Sequence, residues 1–451
     1  MYRISFSRSY LMLTAAMVLG FSVTGASFSW AEITSLTALS SKDIGPFNDK
    51  PYREIEARLE GTAPGGPYAV PITLVLPARA EDHNGFAVVD IINTITIGKP
   101  EFVVGGKPLP LARGHMGDEF LFGRGNAYVG VMWDKTATDT LKIGTIAAPA
   151  DGYTILKDAA ALARDPAKFL PADAVPAPSS GKVIAYGYSQ TGSLLRGWHV
   201  DHHNNQDGAL VFDGGLIAGA SGGCRNLQTS GWRVCEGAIA GSGRVISLSP
   251  EGDAEWGGYF ERGEADDYRF LELAGVSHIP APAADFRAHG MPEQNAIDFG
   301  PAFRAALVNL QEWLNGKNPP PSASMELVAT PTREVDGVGL REAVRDADGN
   351  AKGGVRLPHM PTVLADGTKA GAPLGRYTGL AWTYEKSNFF FLLSGTFTPF
   401  PPDKIKALYP THETYVAAVT AAAGDLAAKR YILPEDADAY VAEAERSDIG
   451  R

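Results

Sequence analysis

Three residues that are distant in the sequence have side chains that together could carry out nucleophilic acyl transfer: Ser189, Asp253 and His278. A serine hydroxyl becomes a nucleophile when a histidine accepts its proton, and a carboxylate then holds that histidine in the required orientation. The separations between them leave room for whole strand and helix units. Ser189 is therefore the candidate nucleophile, with His278 as its base and Asp253 as the orienting acid.

Ser189 lies in a segment, Lys182–Trp198, that has the pattern of a strand, a sharp turn and a helix. A short apolar run leads to Gly187 and the serine, and apolar residues at helical spacing follow. Such a turn exposes the serine hydroxyl, and the helix N-terminus places partial positive charge beside it. This nucleophile-elbow pattern has Thr191 at the position of the second glycine of G-x-S-x-G, and Gly192 follows. By itself the pattern also fits an ordinary strand-to-helix turn.

The base and the acid are each expected at the end of a strand. His278 follows a strand-like run and a loop that contains glycine, and Asp253 comes just after another strand-like run. Glu251 and Asp213 are alternatives for the acid, because carboxylates are common in the turns that follow strands. The order Ser, Asp, His is the order found in α/β-hydrolases.

The negative oxygen formed in acyl transfer needs hydrogen-bond donors that are already in place. We expect the first donor to be the backbone N–H of Gln190, the residue after the nucleophile. The second is expected in the loop at Asn93–Ile95, which follows a buried strand, and Thr94 is the predicted residue. Because these donors are backbone groups, the side chains constrain the choice very little.

The elements that must position these residues alternate along the chain in the manner of a parallel α/β sheet. Strands are predicted at Tyr52–Leu76 (two strands and a turn), Phe86–Ile92, Ala127–Trp133, Ala209–Asp213, Val245–Ser249 and Tyr268–Leu273, and helices at Tyr153–Arg164 and Phe303–Leu314. In such sheets ligands bind beyond the carboxyl ends of the strands, where Ser189 is expected.

The sequence resembles a bacterial family of α/β-hydrolase domain-containing proteins that carry a G-x-S-Q-[ST]-G elbow, here Gly187–Gly192. It is similar to them also in SPEGDAE at Ser249–Glu255, in LAGVSH at Leu273–His278 and in DADGNAKGGVRLP at Asp346–Pro358. The resemblance spans nearly the whole chain after the leader. It implies an α/β-hydrolase fold, with a mostly parallel central sheet flanked by helices, and hydrolysis of esters, without indicating a particular substrate.

The predicted organisation has three parts. Residues 1–31 have the pattern of a signal peptide, with Arg3 and Arg8 before an apolar segment and small residues at Ser29 and Ala31. Residues 32–318 form the predicted hydrolase core, with a cap insertion near 214–244, and residues 319–451 a C-terminal extension that wraps this core. We therefore expect an exported protein, periplasmic or secreted, with no integral membrane segment after cleavage of the leader.

Cys224 and Cys235 are the two cysteines, and in an exported protein they favour a disulfide. A histidine cluster at His199–His203 lacks a defined metal-ligand set, so no metal is predicted. No Walker loop or dinucleotide-binding glycine motif follows a strand, and no cofactor is predicted. A net charge of −11 without basic clusters argues against nucleic-acid partners.

The sequence therefore predicts an exported serine hydrolase that cleaves small carboxylic esters through an acyl-enzyme. Lactonase, amidase and acyltransferase activities share the same three groups and stay open. A non-catalytic binding protein on the same fold is a second hypothesis, and it expects Ser189 and His278 to lie well beyond about 4 Å from each other. The oligomeric state is not predicted.

Overall fold

A computed structural model of the chain describes residues 32–98, 106–170, 179–229, 231–279, 295, 297–335, 337–364, 367–381 and 392–451. The predicted signal peptide, residues 1–31, lies outside these ranges, and the description begins at Glu32. Among the described residues, no helix combines the length and the apolar composition needed to cross a bilayer.

A nine-stranded sheet forms the centre of the protein. Its strands are β1 (Glu32–Phe47), β2 (Lys50–Ala63), β3 (Gly66–Pro77), β4 (Phe86–Ile91), β5 (Ala127–Val131), β6 (Lys182–Tyr188), β7 (Gly214–Ala218), β8 (Arg244–Pro250) and β9 (Tyr268–Leu273). Their spatial order is β1-β2-β3-β5-β4-β6-β7-β8-β9. Strands β1 to β3 pair antiparallel, and β3 pairs antiparallel with β5. The six strands β4 to β9 are parallel to one another. The expected mostly parallel sheet is confirmed.

Helices cover both faces of the sheet. Their bounds are α1 (Leu111–Met116), α2 (Asp118–Gly123), α3 (Lys135–Leu141), α4 (Gly152–Arg164), α5 (Gln190–Val200), α6 (Glu251–Trp256), α7 (Gly300–Leu314), α8 (Pro402–Leu408), α9 (His412–Ala428) and α10 (Pro434–Arg446). Successive side chains of a strand point to opposite faces. In β6, Val183 and Ala185 accordingly pack with α4 and α5, whereas Ile184 and Tyr186 pack with α1 and α7.

The strand that follows α5 differs from the prediction. The sequence predicts a strand at Ala209–Asp213, but only Ala209–Leu210 is extended there, in a small hairpin, and the sheet strand is β7. A Cβ on Gly215 would lie 2.7 Å from Nε2 of His199, so helix α5 packs too closely on β7 for a side chain. Because glycine is depleted in strands, residue propensities do not predict a strand at Gly214–Ala218. Residues 214–218, at the start of the segment predicted to contain the cap, therefore belong to the sheet.

The segment after β7 forms a hairpin of Gly223–Asn226 and Gly231–Val234, closed by the predicted disulfide between Cys224 and Cys235, which is confirmed. The hairpin packs against α5, where the buried Arg196 donates to the carbonyl of Cys235 at 3.1 Å. These contacts place the hairpin beside the helix, and a cap over Ser189 stays a prediction.

The C-terminal segment packs on the core. Ala323 and Val355 form parallel bridges to Leu271 and Leu273, and thus extend the sheet beyond β9. Short hairpins follow at Arg333–Val335 with Val338–Leu340, Thr362–Val363 with Lys369–Ala370, and Gly375–Thr378 with Thr396–Pro399. Helix α10 is tied to α7 by an ion pair between Asp436 and Arg304 at 2.5 Å.

Candidate active site

The turn between β6 and α5 holds Ser189 in a conformation that few residues adopt. Its φ is +59° and its ψ is −117°, and its backbone N–H donates to the carbonyl of Ala218 at 2.9 Å. A positive φ is uncommon for a residue other than glycine, and such strain is concentrated at functional sites. The chain therefore has the sharp elbow that the sequence predicts.

Thr191 occupies the position of the second glycine of the motif, and Gly192 provides the small residue that the elbow needs. The Thr191 hydroxyl accepts from the N–H of Tyr188 at 3.0 Å and lies 3.1 Å from its carbonyl oxygen, so it closes the turn with hydrogen bonds. A Cβ on Gly192 would lie only 2.4 Å from the carbonyl oxygen of Ala218, so the close approach of the two backbones occurs at this residue. Threonine is compatible with the elbow because the position that needs a small residue is the next one.

The three residues singled out in the sequence meet at the carboxyl end of the sheet. Nε2 of His278 lies 2.9 Å from Oγ of Ser189, and Nδ1 of the same ring lies 2.9 and 3.0 Å from the two carboxylate oxygens of Asp253. The Asp253 side chain is fully buried. Because an ionised carboxylate only accepts, Nδ1 carries the ring proton and Nε2 is left to accept from the serine hydroxyl.

The two alternative acids are held elsewhere. Glu251 accepts from the N–H of Gly275 at 2.6 Å and from Arg345 at 2.8 Å. Asp213 pairs with Arg164 and accepts the N–H of Val183. The structure thus brings Asp253 to His278, whereas Glu251 and Asp213 accept hydrogen bonds from backbone N–H groups elsewhere.

The position of His278 is fixed from below by Tyr188, the residue before the serine. Its hydroxyl donates to the carbonyl oxygen of His278, and its ring packs against the imidazole with the centroids 5.1 Å apart. On the other side, the same tyrosine contacts the buried His115 at 4.5 Å between ring centroids. Burial, with a smaller contribution from the charge of His278, lowers the pKa of His115 to about 3, so this second histidine is neutral at physiological pH.

The predicted donors for a negative oxygen are brought together, but one of them already has a partner. The amide of Asn93 donates to the carbonyl of Tyr188 at 2.8 Å and thereby holds its loop against the elbow. The N–H of Thr94 donates to the side-chain oxygen of Gln190 at 3.1 Å. The N–H of Gln190 itself lies in the first turn of α5, where backbone donors have no partner within the helix. The Thr94 donor becomes accessible to a ligand only when the Gln190 side chain moves.

Two residues of this region carry no sequence signal that would have identified them. Ser221, in the loop after β7, donates its hydroxyl to Oδ1 of Asp253. Arg345, from the C-terminal segment, pairs with Glu251 and Glu255 on either side of Asp253. Their positions in the sequence are too far from the acid for any local pattern to relate them to it.

The histidines at the end of α5 make contacts with neighbouring residues. Nδ1 of the buried His199 lies 2.9 Å from the carbonyl oxygen of Ser242, and His203 stacks on Tyr153. Within the ranges that the structure describes, no group of three or more histidine, cysteine or acidic side chains is arranged to hold a metal ion.

Several solved structures are similar to parts of this chain. A G231F mutant of the rice cell wall degrading esterase LipA from Xanthomonas oryzae is 16% identical over 42% of this chain and 50% of its own, with a TM-score of 0.27, so this chain spans about half the length of that esterase. A putative dienelactone hydrolase from Klebsiella pneumoniae subsp. pneumoniae MGH 78578 is 13% identical over 55% of this chain and 94% of its own, with a TM-score of 0.34. A glucuronoyl esterase from Solibacter usitatus is 13% identical over 48% of this chain and 68% of its own, with a TM-score of 0.29.

A comparison of the sequence with curated proteins finds no match. The alpha/beta hydrolase domain family, in contrast, matches residues 50–442, which include the sheet, the site and most of the C-terminal segment. The elbow, the strand order and this match agree, and the chain belongs to the alpha/beta hydrolase domain family.

Proposed function

We propose that this protein is a serine hydrolase that cleaves small carboxylic esters through an acyl-enzyme intermediate. The observation that carries the proposal is the continuous series of contacts from Ser189 through His278 to Asp253, at 2.9 Å for each step. These distances are within the reach needed for proton transfer. Membership in the alpha/beta hydrolase domain family supports the same chemistry.

In the proposed mechanism the Ser189 oxygen attacks the ester carbonyl carbon while His278 accepts the hydroxyl proton at Nε2. Asp253 holds the tautomer and stabilises the imidazolium. The tetrahedral intermediate expels the alcohol, which takes the proton from Nε2, and an acyl group is left on Ser189. His278 then accepts a proton from water, whose oxygen attacks the acyl-enzyme carbonyl carbon, and the second tetrahedral intermediate releases the acid as the proton returns to Oγ of Ser189. The N–H of Gln190 and, after its side chain moves, that of Thr94 stabilise the negative oxygen in both steps.

A fluorophosphonate probe tests the nucleophile without knowledge of the substrate. We expect it to label Ser189 in the wild type and to fail on Ser189→Ala, and we expect strongly reduced labelling for His278→Asn because the base is lost. Circular dichroism and the melting temperature establish that each variant is folded. A folded wild type that the probe leaves unlabelled would count against the proposal and favour a binding protein on this fold.

A hydrolysis screen over p-nitrophenyl and other aryl esters, with lactones and amides alongside, identifies the class of substrate that is cleaved. Esters are expected to be cleaved fastest, and Ser189→Ala is expected to lose activity on every substrate. Faster turnover of lactones or amides would move the assignment to lactonase or amidase with the same three residues.

We also propose that the protein is exported, on the basis of the leader pattern in residues 1–31 and the disulfide of Cys224 and Cys235. Expression with the native leader should give a mature N-terminus near Glu32 in the periplasmic or secreted fraction. Recovery of the uncleaved chain in the cytoplasm would contradict export.

A further inference from the structure

A loop of four residues, Gly219 to Gly222, connects β7 to the disulfide hairpin and passes beside the acid. Three of its residues have positive φ: Gly219 at +57°, Ser221 at +50° and Gly222 at +67°. The left-handed region favours glycine because a Cβ crowds the following carbonyl oxygen. Ser221 thus occupies a backbone position that suits glycine, between Ala220 and Gly222.

The loop is held from several sides. The N–H of Gly219 donates to the carbonyl of Leu248 in β8 at 2.9 Å, and the N–H of Gly222 donates to the carboxylate of Glu261 at 3.0 Å. A Cβ on Gly222 would lie 2.3 Å from the carbonyl oxygen of Gly257, just after α6. The loop therefore has little freedom to move relative to the helix that carries Asp253.

Its one hydroxyl is directed at the acid. Ser221 donates to Oδ1 of Asp253, while His278 contacts both carboxylate oxygens. A buried carboxylate with a single partner is free to rotate about its χ2 angle, which is broad for aspartate. A second donor on a rigid loop restricts that rotation and keeps the carboxylate facing Nδ1. The hydroxyl donor also stabilises part of the negative charge of the carboxylate, which would otherwise interact with the imidazole alone.

We propose that Ser221 is a positioning residue for the hydrolysis, acting through Asp253. This inference rests on the proposed function of Ser189, Asp253 and His278. The chain keeps a serine in a glycine-like conformation because its hydroxyl sets the orientation of the acid. Loss of the hydroxyl should slow the chemical step and leave the folded state intact.

Two substitutions of Ser221 distinguish the effect of losing the hydroxyl from the effect of backbone strain. Ser221→Gly and Ser221→Ala both remove the hydroxyl, but glycine suits φ of +50° whereas alanine does not. We expect both variants to lose about tenfold in kcat and in the rate of fluorophosphonate labelling, with KM for p-nitrophenyl esters changed by less than about twofold. We expect the melting temperature of Ser221→Gly to equal or exceed that of Ser221→Ala.

The pH profile gives a second readout that a structural role would not change. Without Ser221 the negative charge of Asp253 acts more fully on the His278 imidazolium, so the acidic limb of kcat/KM moves to higher pH. Within the ranges that the structure describes, the other groups at this imidazole are Ser189, the Tyr188 ring and, behind that ring, the neutral His115. All of them are unchanged in the variants.

Ser193→Ala is the matched control, because the Ser193 hydroxyl donates to the same loop, at the carbonyl oxygen of Ala220, and not to Asp253. It should keep the wild-type kcat and acidic limb. Wild-type kcat and pH profile in Ser221→Gly would overturn the inference, as would a loss of kcat confined to Ser221→Ala and parallel to its melting temperature. A wild type that neither labels with fluorophosphonate nor hydrolyses any ester would instead overturn the proposed function and this inference with it.

Discussion

The fully buried Glu251 and the partly buried Arg345 form an ion pair, 2.8 Å between Oε1 and Nη2, that joins the start of the acid-bearing helix to the C-terminal segment. Glu251 also accepts from the N–H of Gly275, three residues before His278. One carboxylate therefore contacts the acid helix, the base loop and the C-terminal segment. Glu251 and Gly275 belong to two of the sequence motifs shared with the family, and Arg345 directly precedes the third, Asp346–Pro358.

Arg345→Met should strongly destabilise the protein. It leaves the buried Glu251 side chain without the guanidinium that pairs with it, and removal of one partner of a buried pair costs about 3–5 kcal/mol. The free energy of unfolding in urea measures the effect. Arg333→Met, which disrupts a largely exposed pair with Glu342 in the same segment, should cost no more than about 1 kcal/mol. Equal losses in the two variants would contradict the importance of burial.

Glu255 should make stability depend on pH near neutrality. Burial and, after it, the charge of Glu251 raise the pKa of Glu255 from 4.5 to about 8. Because the folded state holds this proton more tightly than the unfolded chain, the contribution is fully present below pH 4.5 and is lost as the pH rises through about 8, by at most about 1.4 kcal/mol per pH unit. Urea unfolding at pH 6 and pH 8 should show the decrease.

Glu255→Gln is the control for that pH dependence, since an amide cannot ionise and its oxygen still accepts the N–H of Ala343. The variant should show a shallower decrease between pH 6 and pH 8. Part of the decrease remains, because burial also raises the pKa of Asp90, to about 7. An unchanged slope in Glu255→Gln would show that this carboxyl does not titrate in the range.

Gly192→Ala should prevent formation of the elbow. The added methyl would lie 2.4 Å from the carbonyl oxygen of Ala218, on the strand next to β6, so α5 must move away from the sheet. We expect a loss above about 3 kcal/mol in the free energy of unfolding and no fluorophosphonate labelling. Gly424→Ala, in α9, is the matched control: its Cβ meets no atom within 4 Å, and the variant should gain up to about 1 kcal/mol. A well-folded, reactive Gly192→Ala protein would contradict the close approach.

Replacing Cys224 and Cys235 together with alanine should lower stability by about 3 kcal/mol or less, as expected for a short closed loop. The double variant and the reduced wild type should then unfold at similar urea concentrations. Because the hairpin packs on α5 through Arg196, a decrease in thermal stability should be accompanied by faster loss of labelling on heating. Identical midpoints for oxidised and reduced wild type would exclude a stabilising role.

The sequence by itself determined the elements whose information is local. Apolar runs predicted β4, β5, β6, β8 and β9, and the glycines around Ser189 predicted the elbow. The order of the three candidate residues along the chain predicted that they would be brought to one end of a parallel sheet. Periodicity and glycine positions are properties of neighbouring residues, so they can be read without the fold.

Only the tertiary structure decided which of several equivalent groups faces which partner. Asp253 and Glu251 are two residues apart, and the direction of α6 turns one toward His278 and the other toward Arg345. The Thr94 N–H is directed to the Gln190 side chain, and Ser221 reaches the acid, through contacts between segments that are distant in the chain. Strand β7 was missed because its glycines are required by the packing of helices against it, and not by any preference of its own residues.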